Sequence, residues 1–401
     1  MRVLAVLAIG LAAACGSSRP RPAVEPAPAP ATAAPDATPR VAAPDATPAI
    51  AAPEATPHVV TLHAVGDITL GGDFEPWLDQ QLARGRFDAT QALAYGMDKM
   101  RAALAAADVT VANLEGTFAV KSPLATGGFA FKARPALAGI LVDGGIDVVA
   151  LGNNHMMDYG PGGVVETLAA LDAVGVGWSG AGRDVAEAHR PWLTEVRGVR
   201  LGFLSYKVTG RHDVDQPPTG TVFHADGATV AWCHFDWHCI LDLVTSDIDR
   251  LAPTVDVVVV SFHWGQEKHY HPDPYQVALA HAAVDHGARV VFGSHPHVLQ
   301  GVELYGDAVI YYSLGNYLFG GNDAPFDPIG GMASVTVSAD GRVLAADLLP
   351  VRTTSDAAPF QPVALEGAEA SRVLAAVGER SRAFARTLPS LTRAPDLGGA
   401  R

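Results

Sequence analysis

Two histidines separated by one residue are the most suggestive chemical feature of this 401-residue sequence. His295 and His297 lie in the segment Gly-Ser-His-Pro-His, directly after the mostly apolar run Ala288–Phe292. At the mouth of a buried strand, two imidazoles with this spacing can both face one point in space. Imidazole nitrogen is a common metal ligand, so the pair suggests a metal site.

The same arrangement, an apolar run followed by polar side chains, recurs at four other places in the chain. The polar residues at these run ends are Asp67, Asn113 with Glu115, Asn153 with Asn154 and His155, and His263. In open α/β sheets, ligands bind outside the carboxyl ends of the strands. Five strand ends that carry carboxylate, amide and imidazole groups therefore predict a metal centre.

The candidate ligands supply only oxygen and nitrogen donors, a set that suits manganese, iron or zinc better than soft metals. They are Asp67, Glu115, Asn154, His263, His295 and His297. Two ions about 3.5–4 Å apart can hold the attacking and leaving oxygens of a displacement reaction, and Glu115 is placed to bridge them. His155 follows Asn154 and points elsewhere, which favours a role as proton donor to the leaving group. We expect one or two divalent ions.

The composition excludes some classes of function. Hydrophobic residues make up 49% of the chain and charged residues 17%, which fits a globular core. The formal net charge of −14 argues against a nucleic-acid-binding surface. An anionic substrate would then be attracted by bound metal rather than by the protein's own charge.

The N-terminal segment has the pattern of a targeting signal. Arg2 precedes the apolar run Val3–Ala14, which is shorter than the about 20 residues that a membrane span needs. We interpret residues 1–15 as a lipoprotein-type signal peptide in which Cys15 takes the lipid. The protein would then be exported and anchored to a membrane of the bacterial envelope. An ordinary secretory cleavage nearby, with Cys15 removed, is the alternative.

Residues 16–57 are predicted to be an Ala/Pro-rich disordered linker. Ala-Ala-Pro-Asp-Ala-Thr-Pro occurs at 33–39 and 42–48, and a version with Glu occurs at 51–57. Proline at this density blocks helix and sheet hydrogen bonds, and the stretch lacks the large apolar residues of a core. The folded domain is predicted at 58–352, followed by a C-terminal extension, 353–401, with a peripheral helix at 364–386.

Cys233 and Cys239 remain as an even pair once Cys15 is assigned to the lipid. In an oxidising location two such cysteines can bridge, so we expect a disulfide-closed loop. Free thiols are one alternative. A small metal site with His234 and His238 is the other, although Cys-x5-Cys does not match a common zinc pattern.

Strand-like runs alternate with helical stretches from Val59 to about Val351, which is the signature of βαβ units and a largely parallel sheet. Helices are predicted at 92–107, 162–174, 240–251 and 275–286. Short strands joined by turns are predicted at 298–304, 308–314, 332–337 and 343–351, and suggest a second, antiparallel sheet packed on the first. Asp340-Gly341 predicts a type I′ turn with positive φ at both residues. The expected fold class is a layered α/β sandwich.

The ordered set of motifs resembles the CapA family of capsule biosynthesis proteins. That family is linked to poly-γ-glutamate and is similar to calcineurin-like metallophosphoesterases. The resemblance covers about residues 59–350. The matching stretches are Val65–Asp67, Ala112–Glu115, Gly152–His155 with Asp158 and Gly160, His263–Glu267 with Pro272 and Gln276, Gly293–His297 and Ser313–Tyr317.

The resemblance implies an α/β/β/α sandwich of the metallophosphoesterase type. It implies that Asp67 binds one metal, that Glu115 bridges two and that Asn154 binds the second. The sequence departs from the superfamily at Thr69, where histidine is usual, and at Glu115, where aspartate is usual. The same motifs contribute further residues that we expect beside the ligands or the substrate, namely Asn113, Asp158, Glu267 and Asn316.

Two classes of function follow from these motifs. The first is a metal-dependent hydrolase acting on a phosphoester or a γ-glutamyl-type amide of the cell envelope. The second is a non-catalytic envelope component that binds an anionic polymer, such as poly-γ-glutamate, through the metal centre. Capsule-synthesis proteins are the expected partners in both cases. The ligand set favours a bound metal but does not separate turnover from binding.

Overall fold

The computed structural model describes residues 58–125, 129–208, 227–232, 237–321 and 326–392. Cys15, the predicted signal peptide and linker at 1–57, and Cys233 lie outside these ranges. Cys239 is disulfide-bonded, and its pairing with Cys233 stays a prediction. Within the described ranges, no helix is long and apolar enough to cross a membrane.

Most of the strands belong to two mixed sheets. In chain order the strands are β1 (Val59–Thr69), β2 (Val109–Leu114), β3 (Thr117–Phe118), β4 (Lys132–Ala133), β5 (Val148–Ala150), β6 (Gly177–Ser179), β7 (Ala181–Gly182), β8 (Trp192–Val196), β9 (Val199–Lys207), β10 (Thr229–Val230), β11 (Val257–His263), β12 (Ala288–Ser294), β13 (Val302–Tyr305), β14 (Ala308–Tyr311), β15 (Asn316–Phe319), β16 (Ile329–Ser338), β17 (Val343–Arg352) and β18 (Val363–Ala364). The first sheet has the order β18-β17-β16-β1-β2-β5-β6, with β15 also paired to β1. The second has the order β13-β14-β12-β11-β9-β8. Two small pairs, β3 with β4 and β7 with β10, lie outside them.

Helices connect the strands and cover the sheets. In chain order they are α1 (Phe74–Ala83), α2 (Ala89–Tyr95), α3 (Arg101–Leu104), α4 (Gly139–Asp143), α5 (Gly160–Val174), α6 (Val185–Ala188), α7 (Trp237–Leu251), α8 (Pro274–Asp285), α9 (Gly367–Arg380) and α10 (Pro389–Thr392). Short 3₁₀ turns occupy Pro135–Ala138 and Ala252–Thr254. The helices predicted at 162–174, 240–251 and 275–286 are confirmed as α5, α7 and α8 to within three residues at each end.

The alternation of side chains along β11 shows how the layers form. Val257 and Val259 face a central core between the two sheets. Val258 and Val260 face the opposite way and pack with residues of α7 and α8. Successive side chains of a strand point to opposite faces, so a strand of valines can serve two cores at once.

The first sheet is built in the same way. Val148 of β5 faces the central core, whereas Val149 packs in an outer core with Leu168 of α5. Helices therefore cover the outer face of each sheet. The predicted α/β/β/α sandwich is confirmed.

The distribution of the antiparallel strands between the sheets differs from the prediction. β16 pairs with β1 over Val59–Val65, and β17 pairs with β16, so both strands extend the first sheet. Of the strands predicted to form a separate antiparallel sheet, only β13 and β14 belong to the second sheet, where β14 lies beside β12. The sequence pattern identifies these strands but not their partners, because pairing depends on which edge of β1 is open in the folded chain.

Two local predictions were wrong in detail. The helix expected at 92–107 is divided into α2 and α3, with Gly96 at the end of α2. Glycine lowers helix stability, and a Cβ at Gly96 would lie 2.8 Å from Leu318 Cδ2. In the β16–β17 hairpin, Gly341 has a φ of 79° but Asp340 is not among the residues of positive φ. The connection is therefore a longer turn with one left-handed glycine instead of a type I′ turn.

Residues beyond 353 pack against the sheets. β18 pairs with β17, and α9 is shorter than the helix predicted at 364–386. Val377 of α9 and Leu388 are fully buried in the central core. The helix is thus part of the packed structure rather than peripheral.

Candidate metal centre

The ends of strands from both sheets meet at one place and bring the predicted ligands together. β1 contributes Asp67, β2 is followed by Glu115, and β5 is followed by Asn154 and His155. From the second sheet, β11 ends at His263 and β12 is followed by His295 and His297. These residues come from distant parts of the chain, and the tertiary fold alone places them side by side.

A close backbone contact positions Asp67. The backbone N–H of Asp67 donates to the carbonyl of Gly315 at 2.9 Å. A Cβ at Gly66 would lie 1.8 Å from the same carbonyl oxygen, so only glycine fits there. The register of β1 against β2 shifts between Val65 and Asp67, which turns the carboxylate toward the cluster.

Glu115 is shared by two groups of potential ligands. In one group, donor atoms of Glu115, His263 and His295 lie within 4.8 Å of one another. In the other group, Asp67, Glu115 and His297 meet the same condition. One carboxylate common to two adjacent ligand groups is the arrangement that a pair of bridged metal ions requires.

Individual distances show how compact the cluster is. His263 Nε2 lies 3.5 Å from Glu115 Oε1, 3.0 Å from His295 Nδ1 and 2.5 Å from Asn154 Oδ1. His297 Nδ1 lies 3.1 Å from Asp67 Oδ2. All six predicted ligands therefore belong to one cluster.

The donor set fits a metal, because the carboxylate of Glu115 has no hydrogen-bond partner among the described residues. Both of its oxygens are buried and form no hydrogen bond there. Burial, and then the charge of Asp67, raise the pKa of Glu115 well above its usual range. A buried carboxylate without hydrogen bonds costs several kcal/mol unless a cation compensates it. A divalent ion would supply that compensation.

The three histidines among the predicted ligands differ in the direction of their pKa shifts. Burial, and then neighbouring positive groups, lower the pKa values of His263 and His295 well below the usual range, so these rings are neutral and suited to bind metal. Burial also acts to lower the pKa of His297, but the charges of Glu115 and Asp67 outweigh it and raise that pKa to about 10. A metal would have to displace this proton.

The histidine loop after β12 has unusual backbone geometry. His295 has a φ of 95° and His297 a φ of 56°, and neither residue is glycine. Lys268, with a φ of 65°, donates its backbone N–H to the carbonyl of Pro296 at 2.8 Å and ties the loop after β11 to this one. Strained non-glycine residues concentrate at functional sites, where surrounding structure holds them.

His155 diverges from the ligand cluster. Its Nδ1 lies 2.8 Å from Asp158 Oδ2, and its Nε2 is 3.9 Å from Glu115 Oε1. The same Asp158 oxygen accepts the backbone N–H of Phe131 at 2.8 Å. The ring of Phe131 packs on His155 with 4.4 Å between centroids. The aspartate and the phenylalanine thus orient the imidazole at the edge of the cluster.

Of the other predicted site residues, some contact the predicted ligands directly and one does not. Asn113 Nδ2 donates to Asp67 Oδ1 at 2.8 Å, and Asn316 Oδ1 lies 2.9 Å from His297 Nδ1. Glu267 is exposed and acts on the cluster through its charge, which raises the pKa values of Glu115 and His297. Asn113 and Asn316 therefore orient ligands directly, whereas Glu267 lies farther out.

Some residues of the site were missed by the sequence analysis. Ser294 Oγ lies 3.2 Å from His263 Nδ1. Phe319 packs on His297 with 4.9 Å between ring centroids. Lys207 ends β9 and is buried, and it follows the apolar run of that strand as the predicted ligands follow theirs. The same strand-end pattern could have identified Lys207.

Residues 61–321 match the family described as "Bacterial capsule synthesis protein PGA_cap". The chain belongs to this family. Among CapA-family relatives, a "capsule biosynthesis protein CapA" of Bacillus anthracis is 35% identical over 180 residues, which are 44% of this chain and 41% of that protein. A "PGA biosynthesis protein CapA" of Bacillus subtilis (strain 168) is 29% identical over 265 residues, 65% of this chain and 63% of that protein. The chain thus spans less than two thirds of either relative.

Two solved structures each match 72% of this chain. A hypothetical protein from Thermus thermophilus matches with a TM-score of 0.41 and 17% identity, over 72% of this chain and 98% of that one. The 5'-nucleotidase from Candida albicans matches with a TM-score of 0.38 and 10% identity, over 72% of this chain and 51% of that one. Scores this low carry no information about activity.

Proposed function

We propose that this protein acts in the synthesis or retention of a capsular poly-γ-glutamate as a metal-dependent hydrolase of phosphoester or γ-glutamyl-type bonds. The observation that carries the proposal is Glu115, a buried carboxylate without hydrogen bonds to the described residues that is common to two groups of potential ligands. The names of the CapA-family relatives supply the capsule context. The protein is exported and held at the envelope through Cys15, and it works with other capsule-synthesis proteins.

Metal ions bound by Asp67, Glu115, His263, His295, His297 and Asn154 would supply Lewis acidity at the ester or amide. Manganese, iron and zinc all suit this donor set. Water would supply the attacking oxygen. The protein's own part is to hold the reacting group beside His155, whose Nε2 donates a proton to the leaving oxygen or nitrogen as the bond breaks. Asp158 Oδ2 lies 2.8 Å from Nδ1 of His155, and this contact fixes the orientation of the ring.

A binding function without turnover is the second candidate. Thr69 occupies the position where the superfamily has a histidine ligand, and its hydroxyl donates to the carbonyl of Glu115 at 2.7 Å instead. If two metals were bound, one of them would have fewer protein ligands. Such a centre would hold an anionic polymer through its metal without cleaving it.

Metal analysis combined with a substrate panel separates these functions. Purified full-length protein is analysed for bound manganese, iron and zinc, and then assayed with p-nitrophenyl phosphate, bis-p-nitrophenyl phosphate and γ-glutamyl-p-nitroanilide. Hydrolysis that chelation removes and metal restores supports the enzyme. The binding function is supported if the protein holds stoichiometric metal, hydrolyses none of the substrates and retains poly-γ-glutamate only when metal is bound. Absence of metal after incubation with all three ions contradicts both.

A further inference from the structure

A buried lysine lies at the same strand ends as the metal cluster. Lys207 is the last residue of β9 and is only 2% exposed. The other lysines of the chain are partly or fully exposed, and they are Lys99, Lys121, Lys132 and Lys268. Burying an ammonium group costs several kcal/mol, so a lysine in this position requires compensating negative charge.

The strand register directs the Lys207 side chain toward the cluster. Lys207 pairs with His263 in the parallel β9–β11 ladder, and directly paired residues project to the same face. Along that face of β9, Leu201 and Phe203 enter the central core, as Val257 and Val259 of β11 do. Lys207 therefore lies on the same face of the second sheet as its paired residue His263, a potential metal ligand.

The same strand also contacts the segment that carries Asn154 and His155. The backbone N–H of Gly152 donates to Ser205 Oγ at 3.1 Å. A Cβ at Gly152 would lie 2.8 Å from Tyr206 Cα, which shows how closely the two backbones approach. The end of β9 is thus packed against the segment that leads to Asn154 and His155, and is also paired with β11.

The positive charge of Lys207 acts on residues of the cluster. It lowers the pKa values of His295 and Glu115. Bound metals would neutralise the carboxylates that face them. The positive charge of Lys207 would then attract the anionic part of a ligand.

We propose that Lys207 is an anion-binding residue of the metal centre, where it holds a phosphoryl or carboxylate oxyanion of the substrate. This assignment rests on the proposed function, because the oxyanion is part of the molecule on which the centre acts. It also changes the expectation that metal alone attracts the substrate. Lys207 positions the ligand, and the reacting bond lies closer to His155.

The test compares Lys207→Met and Lys207→Arg with the wild type, all full-length and zinc-loaded. Isothermal titration calorimetry measures binding of inorganic phosphate in one arm and of γ-glutamylglutamate in the other. Lys207→Met should weaken binding of the preferred anion about 10- to 100-fold, as expected for a lost charge-assisted hydrogen bond. Lys207→Arg, which keeps the charge, should retain most of the affinity. Lys99→Met, at a surface lysine with a 56% exposed side chain, is the matched control.

Zinc content, measured on the same samples, separates the two hypotheses. If the wild type and Lys207→Met have equal zinc content and bind both anions with equal affinity, Lys207 is not an anion-binding residue. That result would leave the proposed metal centre uncontradicted. Zinc loss in Lys207→Met with unchanged affinity per loaded molecule shows a structural counter-charge and also overturns it. A wild type that takes up no metal contradicts the proposed function, and anion binding to the metal-free proteins then decides the role of Lys207.

A measurement on the wild type covers the case in which Lys207→Met does not fold. With [13Cε]lysine labelling, the Lys207 resonance is identified by its absence in Lys207→Arg. Titration with phosphate or γ-glutamylglutamate should shift this resonance in proportion to occupancy while the Lys99 resonance stays constant. A Lys207 resonance unchanged at saturation with both anions contradicts the proposal.

Discussion

Asn154 and His155 are adjacent in the chain, yet their side chains serve different parts of the centre. Asn154 Oδ1 lies 2.5 Å from His263 Nε2, whereas His155 turns away and places Nδ1 2.8 Å from Asp158 Oδ2. One residue thus joins the ligand cluster, and the next is held by a carboxylate outside it. Under the proposed function, this division would separate metal binding from proton transfer.

Replacement of His155 should affect hydrolysis and spare the metal. His155→Ala is expected to lower turnover about 10²- to 10⁴-fold, the usual contribution of a positioned general acid. His297→Ala should instead lower metal content, because it removes an imidazole 3.1 Å from Asp67 Oδ2. Turnover and metal content are measured on both variants. Equal loss of metal in the two would show that His155 is a ligand.

Metal should stabilise the protein through Glu115. Ligands that bind only the folded state raise its stability, by about 2.7 kcal/mol at a free metal concentration 100 times the dissociation constant. The wild type should show this shift in thermal unfolding with zinc or manganese, and Glu115→Gln should lose most of it. Glu303→Gln is the control, since Glu303 is also buried but bonds to Tyr312 and His281. If metal raised the unfolding temperature of Glu115→Gln as much as that of the wild type, the Glu115 carboxylate would be excluded as a metal ligand.

Glu166 should make stability sensitive to acid. Its carboxylate accepts the Ser122 hydroxyl and the backbone N–H groups of Val120, Lys121 and Ser122, and these bonds lower its pKa from 4.5 to about 2. A depressed folded-state pKa gives stability that is fully present above pH 4.5 and is lost as the pH falls toward 2.

Urea unfolding at several pH values tests this dependence. Glu166→Gln should lower stability at pH 7 by roughly 1 kcal/mol, because the site is partly exposed and water screens it. The difference from wild type should shrink below pH 4.5. Glu379→Gln, on the exposed side of α9, should show no such convergence. A constant difference between wild type and Glu166→Gln across this pH range would be inconsistent with the assignment.

Cys15 should determine where the protein resides in a bacterial host. The wild type is expected in the membrane fraction and labelled by radioactive palmitate, whereas Cys15→Ala should be unlabelled and absent from that fraction. Mass spectrometry of the mature N-terminus provides an independent measurement. An unmodified N-terminus beyond Cys15 in the wild type would support the ordinary secretory cleavage.

The sequence alone determined the chemistry of the cluster and the strands that carry it. Asp67, Glu115, His263 and His295 each lie at or just beyond the end of an apolar run, and such runs form buried strands because alternate side chains can enter two cores. The fold class followed from the same local pattern of strands and helices. These features depend on residues close together in the chain.

Only the tertiary structure decided how those strands are combined. It placed β16 beside β1 rather than in the second sheet, and it made Glu115 common to two ligand groups. It also brought Lys207 into register with His263. Each of these relationships joins distant segments, and the free energy that selects among possible strand partners comes from packing across both sheets. Short stretches of sequence do not contain that information, because the competing pairings have similar local patterns.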